Sequence, residues 1–139
     1  MWTSESWLEQ KVLLWEDLVK CYVASKFENK EDVREIMYAL IEHGHSITED
    51  WTHSTEENNI KAALADKRGV EECDTFIGLF NINANYKGAY IELGMAIALD
   101  KEIIIIGPHA DRSTFIHLPG IHKYATIADF VKSIVPSGS

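Results

Sequence analysis

Four consecutive isoleucines, Ile103–Ile106, closed by Gly107, restrict the fold more than any other segment. Successive side chains of a strand point to opposite faces. A strand that is apolar at every position must therefore cover both faces. That is the habit of parallel sheets with helices on either side. The run is strand-sized and far short of the roughly 18 apolar residues of a membrane span.

The flanking segments supply what such a strand needs. Lys20 to Ser25 reads as a short buried strand, and His45 to Thr48 as a weaker one. Asp74 to Phe80 reads as a third strand, Ile103 to Ile106 as the fourth, and a short strand is expected near Tyr124. Between them lie helical patterns. Val33, Ile36, Met37, Leu40 and Ile41 form one apolar stripe, with Gly44 placed to cap its C-terminus. Ser54 begins a helix running to about Glu72, with Glu57 at the capping-box position. Gly88 to Leu99 is apolar nearly all round, Gly107 to His122 reads as irregular, and Ile127 to Val135 is the last helix. A leading helix, Ser4 to Lys20, is capped by Ser4 or Ser6 with Glu9. Its stripe of Trp7, Leu8, Lys11, Leu14, Trp15 and Leu18 covers the core or a partner subunit.

Strands alternating with helices predict a doubly wound α/β fold. The expected form is a mostly parallel sheet of four to five strands flanked by helices, with an extra N-terminal helix. Residues 1–19 are expected as a helical extension, 20–136 as the α/β domain and 137–139 as a disordered tail.

Composition removes several function classes. The 139 residues fit one domain, and 46% are apolar, enough for a core. A net charge of −9 argues against binding nucleic-acid backbones. No membrane span or signal-peptide order is present, and Cys21 and Cys73 form no CxxC pair, so a reduced, cytoplasmic setting is expected. The six histidines make no metal-ligand pattern. No P-loop, dinucleotide fingerprint or GxSxG elbow appears, and no metal or cofactor is expected.

In doubly wound sheets the ligand lies beyond the carboxyl ends of the strands. That rule nominates the segments after Ala24, Thr48, Phe80 and Gly107. Glu92 stands out near them: it is the only charged residue between Lys87 and Asp100, on an apolar helix. Burying a carboxylate there is costly without a partner or a purpose. Burial raises its pKa and a nearby helix N-terminus lowers it. From pattern alone Glu92 is either a nucleophile or a buried glutamate bonded to loop N–H groups. Asp66 lies among the small residues Ala62, Ala63 and Gly69, which would let a ligand approach. Tyr22, inside the first strand, is either a core aromatic or part of a site. Ser25 to Lys30 joins a strand to a helix N-terminus, a suitable place for a phosphate.

These residues also carry a resemblance. Gly88-Ala-Tyr-Ile-Glu92-Leu-Gly94-Met-Ala96, followed by Asp100-Lys101-Glu-Ile103, resembles the signature of the nucleoside 2-deoxyribosyltransferases. Their superfamily includes the 2′-deoxynucleoside 5′-phosphate N-hydrolases. Lys20-Cys-Tyr22-Val-Ala24-Ser25 is similar to the family's first strand, and Asp66 to Asp74 to the stretch holding its second acid. The resemblance implies that Glu92 attacks the anomeric carbon to form a glycosyl ester. It implies that Asp66 assists departure of the base and that Tyr22 orients Glu92. A second base or water then resolves the ester, as in retaining glycosidases.

The expected substrate contacts are Ala24, Ser25, Lys26, Phe27, Asp50, Trp51, Tyr86 and Gly88. Asp50-Trp51-Thr52 resembles a segment of uncharacterised relatives, where Trp51 either stacks on a base or packs in the core. The chain departs from the family at Tyr86, where an acid or a serine is expected, and in a first loop without the glycines of the monophosphate hydrolases. The implied partners are a nucleoside or nucleotide and a second copy of the chain, at least a dimer, with the Gly88–Leu99 helix near the interface. A nucleotide-binding module without turnover and a TIR-like NAD-cleaving domain are the alternatives.

Overall fold

A computed structural model describes Trp15, residues 17–53 and residues 59–134. Five strands form one sheet: β1 (Lys20–Ala24), β2 (Ser46–Ile47), β3 (Thr75–Leu79), β4 (Glu102–Ile106) and β5 (His122–Tyr124). Their order is β2-β1-β3-β4-β5, and every neighbouring pair is parallel. Among the described residues the helices are α1 (Lys30–Glu42), α2 (Ile60–Glu72), α3 (Lys87–Ala98) and α4 (Ile127–Ile134). This is the doubly wound α/β fold that the isoleucine run demanded.

Strand alternation divides the core in two. Cys21, Val23, Ile77, Leu79, Ile104 and Ile106 face α1 and α4, packing on Val33, Ile36, Met37, Leu40, Phe130 and Ile134. Tyr22, Ala24, Phe76, Phe80, Ile103 and Ile105 face α2 and α3, packing on Val70, Ala89, Leu93 and Ala96. The four isoleucines thus serve both layers in turn, and all four are buried. Each contributes about 1.5–3 kcal/mol by leaving water.

α1 stops where the sequence placed its cap. Gly44 adopts a φ of +89°, its N–H bonds to Ile41 O at 3.0 Å, and the His45 N–H bonds to Leu40 O at 3.0 Å. These are the paired bonds of a Schellman end, which needs a left-handed residue. Ile41, expected on the packed stripe, is instead 54% exposed, because the stripe ends one residue earlier at Leu40. α2 begins at Ile60, later than expected. Asn59 caps it, its side chain accepting the Ala62 N–H at 2.7 Å. Ser54 and Glu57 lie outside the described residues.

The expected leading helix falls mostly outside them too, as does the tail at 137–139. Within the described part, Leu18 and Val19 are not helical and Lys20 already opens β1, so the helix does not reach Lys20. Trp15 packs edge-on to His45, with ring centroids 5.0 Å apart, and to Phe130 at 5.8 Å. Leu18 is 72% exposed. Among the described residues no helix is long and apolar enough to cross a membrane.

Candidate active site

The chain runs from β1 outward to β2, then returns past β1 to β3. The winding direction reverses between β1 and β3, and such switch points open a crevice beyond the strand ends. A cavity of about 410 Å³ lies there, bounded by β1, the loop after β2, and the facing sides of α2 and α3. Of the expected residues, Glu92, Asp66, Tyr22, Ser25, Lys26, Phe27, Trp51 and Gly88 line it.

Tyr22 is fully buried in β1 and donates its hydroxyl to Glu92 Oε2. Two elements make this meeting feasible. β1 carries Tyr22 onto the α2–α3 face, and Gly69 of α2 leaves room for its ring. A Cβ at Gly69 would stand 2.8 Å from Tyr22 Cδ1 and 2.8 Å from the Glu49 Cβ. Glu92 is half-buried in the second turn of α3. The helix dipole acts mainly on the first turn, so the group that favours its charge is the tyrosine hydroxyl, not the helix end.

The electrostatics follow from this burial. Desolvation pushes the Glu92 carboxyl up, the Tyr22 hydrogen bond pulls it down, and the negative charge of Asp66 adds to the rise, leaving it at about 7. Asp66 is pushed up to about 6, by burial first and then by the charge of Glu49. The Tyr22 hydroxyl is held far above the usual phenol range by burial, then by Glu92 and Asp66, so it remains a donor. A carboxylate held by a tyrosine hydroxyl, with a second acid on the same cavity raised to about 6, can attack an electrophilic carbon while the second acid, in its protonated form, protonates a leaving group.

The remaining expected residues have other places. Ala24 is fully buried in the core and does not line the cavity. Asp50 turns back on its own loop, accepting the Thr52 N–H at 3.0 Å and pairing with His53 at 3.4 Å. Tyr86 is only 2% exposed and closes the loop before α3. Its hydroxyl donates to Ile82 O at 2.9 Å and accepts the Ile82 N–H at 3.2 Å. Trp51 serves two ends: its indole N–H donates to Val23 O at 2.7 Å while the residue lines the cavity. The Ser25 hydroxyl is already spent on Leu79 O at 2.9 Å, and it accepts from Asn29 Nδ2 at 3.1 Å. Asn29 also donates to Asn81 Oδ1 at 2.7 Å, tying the ends of β1 and β3 together.

The cavity also holds residues the sequence did not single out: Glu49, Ala65, Lys67, Ile91 and Met95. Ala62 and Ala63, first noticed only as small neighbours of Asp66, line it as well. The strand-end rule pointed to the loop after Thr48, which contains Glu49. Nothing local distinguishes Glu49 from Asp50, and only the fold turns one inward. Among the described residues no group of three or more His, Cys, Asp or Glu side chains could hold a metal ion.

Comparisons with known proteins bear on the fold. No family model and no curated protein matches the chain. Solved structures do. A CMP N-glycosidase from Clostridium botulinum superposes with a TM-score of 0.62 at 19% identity, covering 83% of this chain and 97% of that one. A 2-deoxyribosyltransferase from Bacillus psychrosaccharolyticus superposes with a TM-score of 0.62 at 20% identity, covering 86% of this chain and 93% of that one. At such identities the likeness is one of fold. The shared fold is the one the Glu-Leu-Gly resemblance implied.

Proposed function

We propose that this chain is a divergent nucleoside 2-deoxyribosyltransferase-like enzyme that cleaves the N-glycosidic bond of a nucleoside or nucleotide. The observation that carries the reading is the Tyr22–Glu92 hydrogen bond, with Asp66 on the same cavity, at the switch point of this fold. Glu92 attacks C1′ as the C1′–N bond breaks, and the bond's electron pair leaves with the base. Asp66 gives the departing nitrogen a proton or a hydrogen bond. Water, or a second base, then attacks C1′, breaks the ester and returns Glu92 as a carboxylate.

The reactive state has an ionised Glu92 and a protonated Asp66. The pair has carboxyl groups at about 7 and about 6. Because Asp66 is the stronger acid of the two, this is the minority arrangement of the singly protonated pair, and the rate falls below about 6, where both are protonated, and above about 7, where both are ionised.

A panel of ribo- and deoxyribonucleosides and their 5′-monophosphates, assayed for free base, tests the reading. Base release from at least one member is expected, and Glu92→Gln should lower it on the order of 10³-fold or more. Full rate in Glu92→Gln would sink the mechanism. Tight binding with no released base would favour a silent binding module, and consumption of NAD a TIR-like activity.

We also propose that two copies associate through α3. Ile91 on this helix is 67% exposed although it lines the cavity, and Leu99 just beyond its end is 48% exposed. Covering them would remove apolar surface from water and close the cavity's open side. Light scattering at micromolar concentration should give at least a dimer; a monomer there contradicts it.

A further inference from the structure

The titratable side chains on the cavity are Tyr22 of β1, Lys26 after it, Glu49 after β2, Asp66 and Lys67 of α2, and Glu92 of α3. Both cations have carboxylates of their own: Lys67 pairs with Glu71 at 3.3 Å and Lys26 with Glu28 at 3.9 Å. Glu49 makes no hydrogen bond or ion pair among the described residues. It is half-buried, as is Asp66.

The position of Glu49 is fixed by its loop. The Thr48 hydroxyl donates to Gly69 O at 2.7 Å, which ties the loop to α2. The Glu49 Cβ sits 2.8 Å from where a Cβ would stand on Gly69. Arg34 of α1 holds the far end, its Nε donating to Thr52 Oγ1 at 3.1 Å and its Nη2 to Thr52 O at 2.9 Å. Asp66 precedes Gly69 by three residues, one helical turn along the same face. On α2 itself the positions three and four away from Asp66 are Ala62, Ala63, Gly69 and Val70, none of them charged. The loop therefore brings Asp66 a like charge that its own helix does not supply.

That charge does not act equally on the two acids of the reaction. Asp66 is raised by burial and then by Glu49. Glu92 answers to burial, to Tyr22 and to Asp66 instead. A like charge beside one member of a coupled pair moves the shared proton toward that member. Here it enlarges the reactive arrangement, with the proton on Asp66 and the charge on Glu92. In the bond-breaking step that proton passes to the departing nitrogen, and Asp66 is left as a carboxylate. Resting on the N-glycosidic reading of the cavity, we infer that Glu49 is a positioning residue that keeps the proton on Asp66 rather than on Glu92.

The inference has a direct readout that needs no turnover. In a Glu92→Gln chain Asp66 no longer shares a proton with a second carboxyl, so its carboxyl carbon NMR signal reports its own titration. Adding Glu49→Gln should move that midpoint down by about 0.5 or more, the scale of one like charge between half-buried groups. Glu49→Ala should do the same, and Glu49→Asp, which keeps the charge, should stay nearer the starting midpoint. A midpoint that stays or rises in both neutral variants, or an equal fall with aspartate, overturns the inference.

The rate gives a second readout, with Glu92 restored. Well above pH 7 the reactive form is reached by adding a proton to Asp66, so the rate follows how strongly Asp66 holds it. At low pH it is reached by removing a proton from Glu92, and Asp66 drops out. Glu49→Gln should therefore lower kcat/KM for base release about threefold above pH 7, with the loss shrinking toward pH 5. An equal loss at every pH is what a merely structural role would give, and overturns the inference. The two readings fail separately. Base release with an unmoved Asp66 midpoint leaves the proposed function standing and this inference overturned; a Glu49-dependent midpoint without base release from any nucleoside or monophosphate does the reverse.

Discussion

The two faces of the sheet are built from alternate residues of the same strands, yet they do different work. The buried core toward α1 and α4 is aliphatic and sulfur-bearing apart from Phe130, with Trp15, Trp51 and Tyr124 packed against it. The face toward α2 and α3 takes Tyr22, Phe76, Phe80 and Tyr86 into its core, and on this side Glu92 and Asp66 stand at the edge of a cavity. In β1 the change occurs within one step: Cys21 and Val23 pack on α1, and Tyr22 between them reaches Glu92. One face supplies stability, and the other spends part of it on half-buried acids. Both acids are pushed up in pKa by burial, which means the fold holds their charged forms at a cost.

The sharpest way to break this contrast is on the packing face. Ile104→Ala removes a fully buried side chain from the α1–α4 layer. It should cost about 2–5 kcal/mol of stability in urea melts, with kcat/KM of the folded fraction close to unchanged. A folded variant that has lost most of its activity would show that the two faces are not separable. The smaller effect belongs to the other face. Tyr22→Phe deletes the hydroxyl that favours the charged form of Glu92. The rate should drop about tenfold, and the alkaline limb of the pH–rate profile, which the more weakly acidic Glu92 sets, should move above its position near 7, because the lowering influence on Glu92 is gone. A limb that stays in place or moves to lower pH would mean that the hydroxyl does not tune Glu92.

Periodicity made much of the fold legible. The isoleucine run, the α1 stripe and the Gly44 stop each rest on neighbours close in sequence, and each reappears within a residue or two. Boundaries were harder. The start of α2 depends on which of several capping residues is used, and Asn59 is the one that bonds the Ala62 N–H. In the site, Glu92 was legible because a lone acid in an apolar helix is an energetic anomaly. Tyr86 and Asp50 were not: both are polar and near the right strand ends, and both turn to bond their own loops.

The sequence by itself determined the layered α/β plan and the candidate nucleophile, since both follow from which residues must leave water and which resist leaving it. Only the tertiary structure decided which groups meet that nucleophile. Tyr22 and Glu92 are 70 residues apart, and Glu49 approaches α2 only because Gly69 has no side chain in the way. Contacts of that kind depend on sheet order and on the close approach of backbones, which no local pattern encodes.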